Sequence, residues 1–106
     1  MSTIPMQLDD AGPDNADRAE FAARALLAFC EEVGLDEAVE RNDAVSDLIC
    51  NLGHFCDRHG LDFLSIASGA IGIWDAERTE EKNGEPNALY PERRVVISIL
   101  DTDTRA

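Results

Sequence analysis

The chain has 106 residues, 44% of them hydrophobic, and carries 22 Asp and Glu against 9 Lys and Arg, a net charge of −13. This length and this hydrophobic share fit a single folded domain and argue against wholesale disorder. Nucleic acid and anionic membranes repel so negative a chain, and it has neither a basic strip nor a run of about 18 apolar residues. We therefore expect no direct nucleic-acid binding and no membrane association.

The cysteines and the start of the chain bear on its cellular compartment. Three cysteines without a CxxC spacing indicate reduced thiols, because a disulfide framework needs pairs. Residues 1–12 contain neither a basic residue nor an apolar run, so they do not have the pattern of a secretory signal. These features predict a cytoplasmic protein.

The first half of the chain is predicted to contain an arm and a helix. Prolines and a glycine interrupt residues 1–13, which predicts an extended arm. Asp14 or Asn15 is expected to cap a first helix that runs to about Val33. Gly34 then supplies the usual helix stop.

Two further helices follow. Asn42 or Asp43 is predicted to cap a second helix that ends near His59, with Gly60 as its stop. Asp62 is predicted to cap a third. Each has apolar residues at helical spacing, and we expect these faces to pack in a core. The second face comprises Val45, Leu48, Ile49, Leu52, Phe55 and Cys56, and the third comprises Phe63, Ile66, Ala67, Ala70, Ile71 and Trp74.

The third helix has two alternative interpretations. Gly69 and Gly72 weaken a helix, so a strand from Ala70 to Trp74 competes with it. Small residues at these positions could also let a neighbouring helix approach closely. Trp74 at helical spacing favours a core position, and an exposed interaction face is the alternative.

The C-terminal part is predicted to hold one strand. The sequence RRVVISIL, from Arg93 to Leu100, is β-branched and apolar. A lone strand leaves its backbone groups unpaired, so we expect it to pair with Thr3 to Leu8 or with its own copy in a homodimer. The predicted fold is mainly α: a compact three-helix domain over residues 14–82, with a minor extended N-terminal and C-terminal strand element, and with a loop, the strand and a tail in residues 83–106.

One segment resembles a known group of proteins. The stretch DAVSDLICNLGHFCDRHGLDF, residues 43–63, resembles small acidic proteins of bacterial plasmids, phages and integrative elements. In those proteins a helix with alternating Asp and Leu leads into an aromatic-Cys/Ala-Asp-Arg turn, and Gly-Leu/Ile-Asp-Phe opens the next helix. The resemblance covers roughly residues 17–78. It implies a helical fold and a bacterial cytoplasm, and it assigns no site.

Four potential metal ligands lie within ten residues, at Cys50, His54, Cys56 and His59. At 100° per residue they point in three directions, and a tetrahedral site normally draws ligands from two elements. We therefore expect no metal site and no cofactor, and we expect Cys56 to be a small core residue. Cys50 and His54 share a face, but neighbouring carboxylates disfavour a thiolate and no oxyanion donors can be identified. No catalytic residue is predicted.

The negative charge is concentrated in one window. Residues 31–57 contain eight acids and one arginine, a net of −7, which favours binding of a basic protein surface. Carboxylates one helical turn apart lie about 6 Å apart, comparable to phosphates along a strand. The predicted function is therefore a non-enzymatic interaction protein, with mimicry of nucleic acid against a host nuclease or defence system as its specific form. The predicted binding residues are Glu31, Glu32, Asp36, Glu37, Glu40, Asp43 and Asp47.

An enzyme is the alternative. Glu37-x-x-Glu40 followed by Asp43 and Asp47 resembles the magnesium-binding helices of MazG-like nucleotide pyrophosphohydrolases. In that family an ExxE pair on one helix and an ExxD pair on the next hold Mg²⁺ against the nucleotide's phosphates. Here only two residues separate Glu40 from Asp43, too few to connect two antiparallel helices, and no basic cluster is placed to receive phosphate.

Overall fold

A computed structural model describes residues 12–83 and 94–101. These residues contain three α-helices and no strand: α1 (Asn15–Val33), α2 (Arg41–Arg58) and α3 (Phe63–Asn83). The predicted mainly-α fold with three helices is confirmed. The chain divides into two units, one ending at Asn51 and the other beginning at Leu52. Unit 1 holds α1 and the first part of α2, and unit 2 holds the rest of α2 and α3.

The start of α1 is fixed by two reciprocal hydrogen bonds. The carboxylate of Asp14 accepts from the backbone N–H of Asp17 at 2.9 Å, and the carboxylate of Asp17 accepts from the backbone N–H of Asp14 at 3.1 Å. This capping box satisfies N–H groups that have no partner inside the helix. Of the two predicted caps, Asp14 is therefore the one in place.

The start of α2 differs from the prediction. The helix begins at Arg41, so Asn42 and Asp43 lie inside it and the predicted cap at either residue is wrong. The cause is the preceding turn, in which the N–H of Glu40 donates to the carbonyl of Asp36 at 2.7 Å. The carbonyl of Glu40 then accepts from the N–H of Ala44 at 2.8 Å, so the turn leads directly into the helix.

The third helix begins where the sequence predicts. The carboxylate of Asp62 accepts from the N–H of Ser65 at 3.2 Å, and its carbonyl accepts from the N–H of Ile66 at 3.0 Å. The helix continues to Asn83, so the alternative strand from Ala70 to Trp74 is wrong. The ring of Phe63 lies so close to Gly53 that a Cβ there would be 3.2 Å from it.

An eleven-residue motif occurs twice in the chain, 26 positions apart. Residues 26–36 and 52–62 both read LxxFCxxxGLD, and each copy lies wholly within one unit. Both glycines adopt a left-handed conformation, with φ of +84° at Gly34 and +70° at Gly60. In each copy the leucine after the glycine donates its N–H to the carbonyl of the motif's cysteine, at 3.0 Å and 2.9 Å. The repeated residues thus build the same helix stop twice.

Few side chains are buried in the described residues. The buried ones are Cys30 and Ala44 in unit 1 and Cys56 and Asp75 in unit 2. The apolar faces predicted for the core are largely exposed, and Trp74 is 56% exposed. The expectation that these faces pack in a core is therefore wrong for most of their residues, although Cys56 is buried and Leu48, Phe63 and Ala67 are partly covered. Helical periodicity shows which side chains share a face, but it carries no information on what covers that face.

The predicted C-terminal strand is not found. Residues 94–101 have no regular secondary structure, and no backbone hydrogen bond among the described residues involves residues 94–100. A strand exists only as part of a ladder. One predicted partner, Thr3 to Leu8, lies outside the described residues, as do Arg93 and residues 1–11 of the predicted arm.

The capping box predicts a dependence of stability on pH. Hydrogen bonding to the backbone of Asp17 is the main cause that lowers the pKa of the Asp14 carboxyl below its ordinary value of 3.8. A depressed pKa contributes stability above the unfolded value, and that contribution is lost as pH falls through the folded value. We expect Asp14→Ala to lower the melting temperature at pH 6, and the difference from wild type to shrink below pH 3.8.

Asp14→Asn is the control, because asparagine caps a helix without a charge. Its melting temperature at pH 6 should stay closer to that of wild type than the Ala variant's does. A difference between wild type and Asp14→Ala that is the same at pH 6 and pH 2 would contradict the role of the carboxylate.

Two Gly→Ala substitutions are predicted to change the free energy of unfolding in opposite directions, because Gly34 has a positive φ and Gly72 is helical. Gly34→Ala places a side chain on a backbone with positive φ and should lower the free energy of unfolding by about 1 kcal/mol. Gly72→Ala lies inside α3, where a new Cβ meets nothing within 4 Å, and should raise it by about 0.5–1 kcal/mol. Urea unfolding followed by circular dichroism measures both. Equal shifts in the same direction would refute this assignment of the helix stop.

Candidate functional site

The seven predicted binding residues all lie in unit 1, and we call them the acidic patch. They occupy the last turn of α1, the connection between the helices and the first turns of α2. Most of them are exposed, and the other two, Glu37 and Glu40, are partly covered. The exposed members are Glu31, Glu32, Asp36, Asp43 and Asp47.

Cys30 lies among four of these acids. Its side chain is covered, and the residue is 1% exposed. Burial raises the pKa of the Cys30 thiol, and the negative charges of nearby carboxylates raise it further. In decreasing order of effect, these carboxylates belong to Glu37, Glu40, Asp36 and Glu31. Four carboxylates near the end of α1 thus lie close enough to the Cys30 thiol for their charges to act on it.

Three of the patch carboxylates also shape the connection. Glu37 forms an ion pair with Arg41 at 2.6 Å, and the hydrogen bond with Glu37 is the main cause that raises the pKa of the Arg41 guanidinium. The carboxylate of Glu40 accepts from the backbone N–H of Asp36 at 2.7 Å. The carboxylate of Asp36 accepts from the N–H of Ala38 at 3.1 Å. These three acids hold the turn in place and are less available to a partner than their charge suggests.

The remaining four acids present their carboxylates to solvent. Glu31 and Glu32 lie in the last turn of α1, and Asp43 and Asp47 lie one turn apart on α2. Across residues 12–83 and 94–101, no ion pair or side-chain hydrogen bond occupies them. Side chains at this i, i+4 spacing lie on the same helix face, about 6 Å apart. These four are therefore the strongest candidates for direct contact with a cation-bearing partner.

The cysteine and histidine residues of α2 do not converge. Cys50 and His54 are exposed, whereas Cys56 is buried as predicted. The ring of His59, just beyond the helix, lies 4.2 Å from the ring of Phe55. In the described part of the chain, no group of three or more His, Cys, Asp or Glu is placed to hold a metal ion. The same finding applies to the carboxylates of the MazG-like alternative, which are Glu37, Glu40, Asp43 and Asp47.

Two features of the site were missed at the level of sequence. The first is the burial of Cys30 near the patch carboxylates. The repeated LxxFCxxxGLD motif was the available signal, because Cys56 was predicted to be a core residue and Cys30 occupies the same place in the first copy. The second is a cluster in unit 2. There the Arg78 guanidinium pairs with the carboxylate of Asp75 at 3.0 Å and lies 4.4 Å from the ring centre of Trp74. Their spacing of one, three and four residues along a helix was the available signal.

Comparisons of the chain with protein-family models, with curated proteins and with solved structures give no match. The resemblance of residues 43–63 to small acidic proteins of mobile elements therefore stays a prediction. Among the described residues, no helix has the length and hydropathy that a bilayer crossing requires.

The burial of the cysteines predicts their order of reaction. Cys50 is exposed, whereas Cys30 and Cys56 are buried, and thiol reagents attack the exposed thiolate. With a disulfide reagent at pH 8, we expect one fast thiol and two that react at least tenfold more slowly. Cys50→Ser should remove the fast phase, and urea should make all remaining thiols fast. A fast phase that persists in Cys50→Ser would contradict the burial of Cys30 or Cys56.

Proposed function

We propose that this protein is a non-enzymatic interaction protein whose acidic patch binds an Arg- or Lys-rich surface of another protein. The supporting observation is that the seven acids lie in one unit, from the last turn of α1 to the first turns of α2, and that five of them are exposed. Four carboxylates of this patch also act by their charge on the Cys30 thiol. A charge that only kept the chain in solution would need no such concentration.

The balance of charge within the patch supports the same proposal. Seven acids face a single arginine between residues 31 and 47, a net of −6, and Arg41 is already paired with Glu37. Such a surface speeds encounter with a basic partner, and its effect extends over roughly 8 Å at physiological salt. A basic partner would contact Glu31, Glu32, Asp43 and Asp47 first.

The specific form of the proposal is mimicry of nucleic acid. Asp43 and Asp47, one turn apart on α2, repeat negative charge at a distance comparable to that of phosphates along a strand. A protein with such a surface could occupy the nucleic-acid site of a nuclease or defence protein. The bacterial cytoplasm and the origin in a mobile element are part of this proposal, and they rest on the reduced thiols and on the resemblance of residues 43–63.

Neutralising the patch should weaken binding to a basic probe. The probe is a fluorescent peptide of alternating arginine and glycine, followed by anisotropy at 50 mM salt. The patch variant replaces four exposed acids with their amides. We expect its affinity to fall at least tenfold, because several charge contacts of up to 1 kcal/mol each are lost. The four substitutions are Glu31→Gln, Glu32→Gln, Asp43→Asn and Asp47→Asn.

A control of the same net charge separates the patch from overall charge. It neutralises four exposed acids scattered along the chain, and its affinity should remain within threefold of wild type. Equal loss in both variants, or binding by wild type that is unchanged at 500 mM salt, would refute the proposal. The control substitutions are Glu20→Gln, Asp57→Asn, Glu81→Gln and Asp101→Asn.

A further inference from the structure

One face of α3 exposes large apolar side chains. Ile66, Ala70, Ile73 and Trp74 fall within about 100° of the helix circumference, and we call them the α3 stripe. All four are exposed, with Ile66 at 49%, Ile73 at 51% and Trp74 at 56%.

The opposite face of the same helix is the more covered one, and it carries apolar as well as small or polar side chains. Leu64, Ser68 and Thr79 are partly covered there, Ile71 is 39% exposed, and Asp75 is 8% exposed. Among the described residues, the three large side chains of the α3 stripe therefore stay about half exposed.

The repeated motif gives an internal comparison within the chain. In the first copy Leu26, Phe29 and Leu35 are partly covered. Their counterparts in the second copy are exposed, at 46% for Leu52, 54% for Phe55 and 46% for Leu61. The same three residue types, at the same places in the motif, are therefore partly covered in the first copy and exposed in the second.

We propose that a second copy of this chain covers the α3 stripe, so that the protein is a homodimer paired through α3. Charge favours a copy over a foreign partner. Residues 63–74 contain no charged side chain, so this segment offers no charge for a basic or acidic partner to recognise. Residues 63–74 of two chains related by a two-fold axis also bring no charged side chains of their own together, although each chain carries −13.

The available area suits a dimer. The three large residues of the stripe and the three exposed residues of the second motif are each about half exposed. An interface that took in both sets, which lie in unit 2, would bury on the order of 500 Å² of apolar surface on each chain. A standard interface buries about 800 Å² per partner, of which about 65% is apolar in homodimers. The stripe and the second-motif residues together would therefore suffice for such an interface.

The side chain of Trp74 is restrained by a neighbouring arginine. The Arg78 guanidinium lies 4.4 Å from the ring centre and is itself fixed by the carboxylate of Asp75. A side chain that is ordered before binding loses less entropy on association. Tryptophan and arginine are also the residues that most often dominate interface energies.

Sedimentation equilibrium and the fluorescence of Trp74, the only tryptophan, test this proposal. Wild type should sediment as a dimer of twice 11.6 kDa, and its emission should shift to longer wavelength on dilution. The double variant Ile66→Glu and Ile73→Glu should raise the dissociation constant at least 100-fold while keeping its helical circular dichroism. Val39→Glu, at an exposed apolar residue in unit 1, should leave the dimer unchanged.

A second variant covers the case in which the double variant fails to fold. In a Cys50→Ser background, Ala70→Cys lies at the centre of the stripe and should form an intermolecular disulfide under mild oxidation, whereas Ser46→Cys should not. A wild-type monomer at all concentrations would overturn the proposal. So would a dimer that survives the two glutamates, since that result would assign pairing to another segment such as residues 93–100.

Discussion

The structure depends on a helix stop that the chain uses twice. At each stop a glycine with positive φ turns the chain, and the carbonyl of a buried cysteine accepts the N–H of the leucine that follows. The next residue is an aspartate whose carboxylate organises the turn or helix beyond it. The first stop places the acidic connection beside Cys30, and the second starts α3. Both proposed surfaces therefore follow from this local geometry.

The two surfaces differ in the physical chemistry of what they can bind. The acidic patch is a concentration of exposed carboxylates, so its interactions are long-ranged and weaken with salt. The α3 stripe has no charge, so its interactions depend on contact and on removal of apolar surface from water. The first suits a foreign basic protein, and the second suits a copy of the same chain. Each surface lies within its own unit, so changes to one can be made without substituting residues of the other.

The sequence predicted what depends on neighbouring residues and missed what depends on distant ones. The cap at Asp14, the stops at Gly34 and Gly60 and the start at Asp62 were all predicted, because capping is a matter of a few consecutive residues. The start of α2 was wrong since hydrogen bonds from Asp36 through Glu40 extend the helix backwards. Burial of Trp74 was wrong because periodicity identifies a face and not what covers it.

Amide hydrogen exchange of the wild-type chain tests the separation of the two surfaces most directly. Raising the protein concentration should slow exchange in residues 63–74 and leave residues 31–47 unchanged. Adding the arginine–glycine peptide should slow exchange in residues 31–47 and leave residues 63–74 unchanged. Protection of residues 63–74 by the peptide, or exchange there that is independent of protein concentration, would contradict the account.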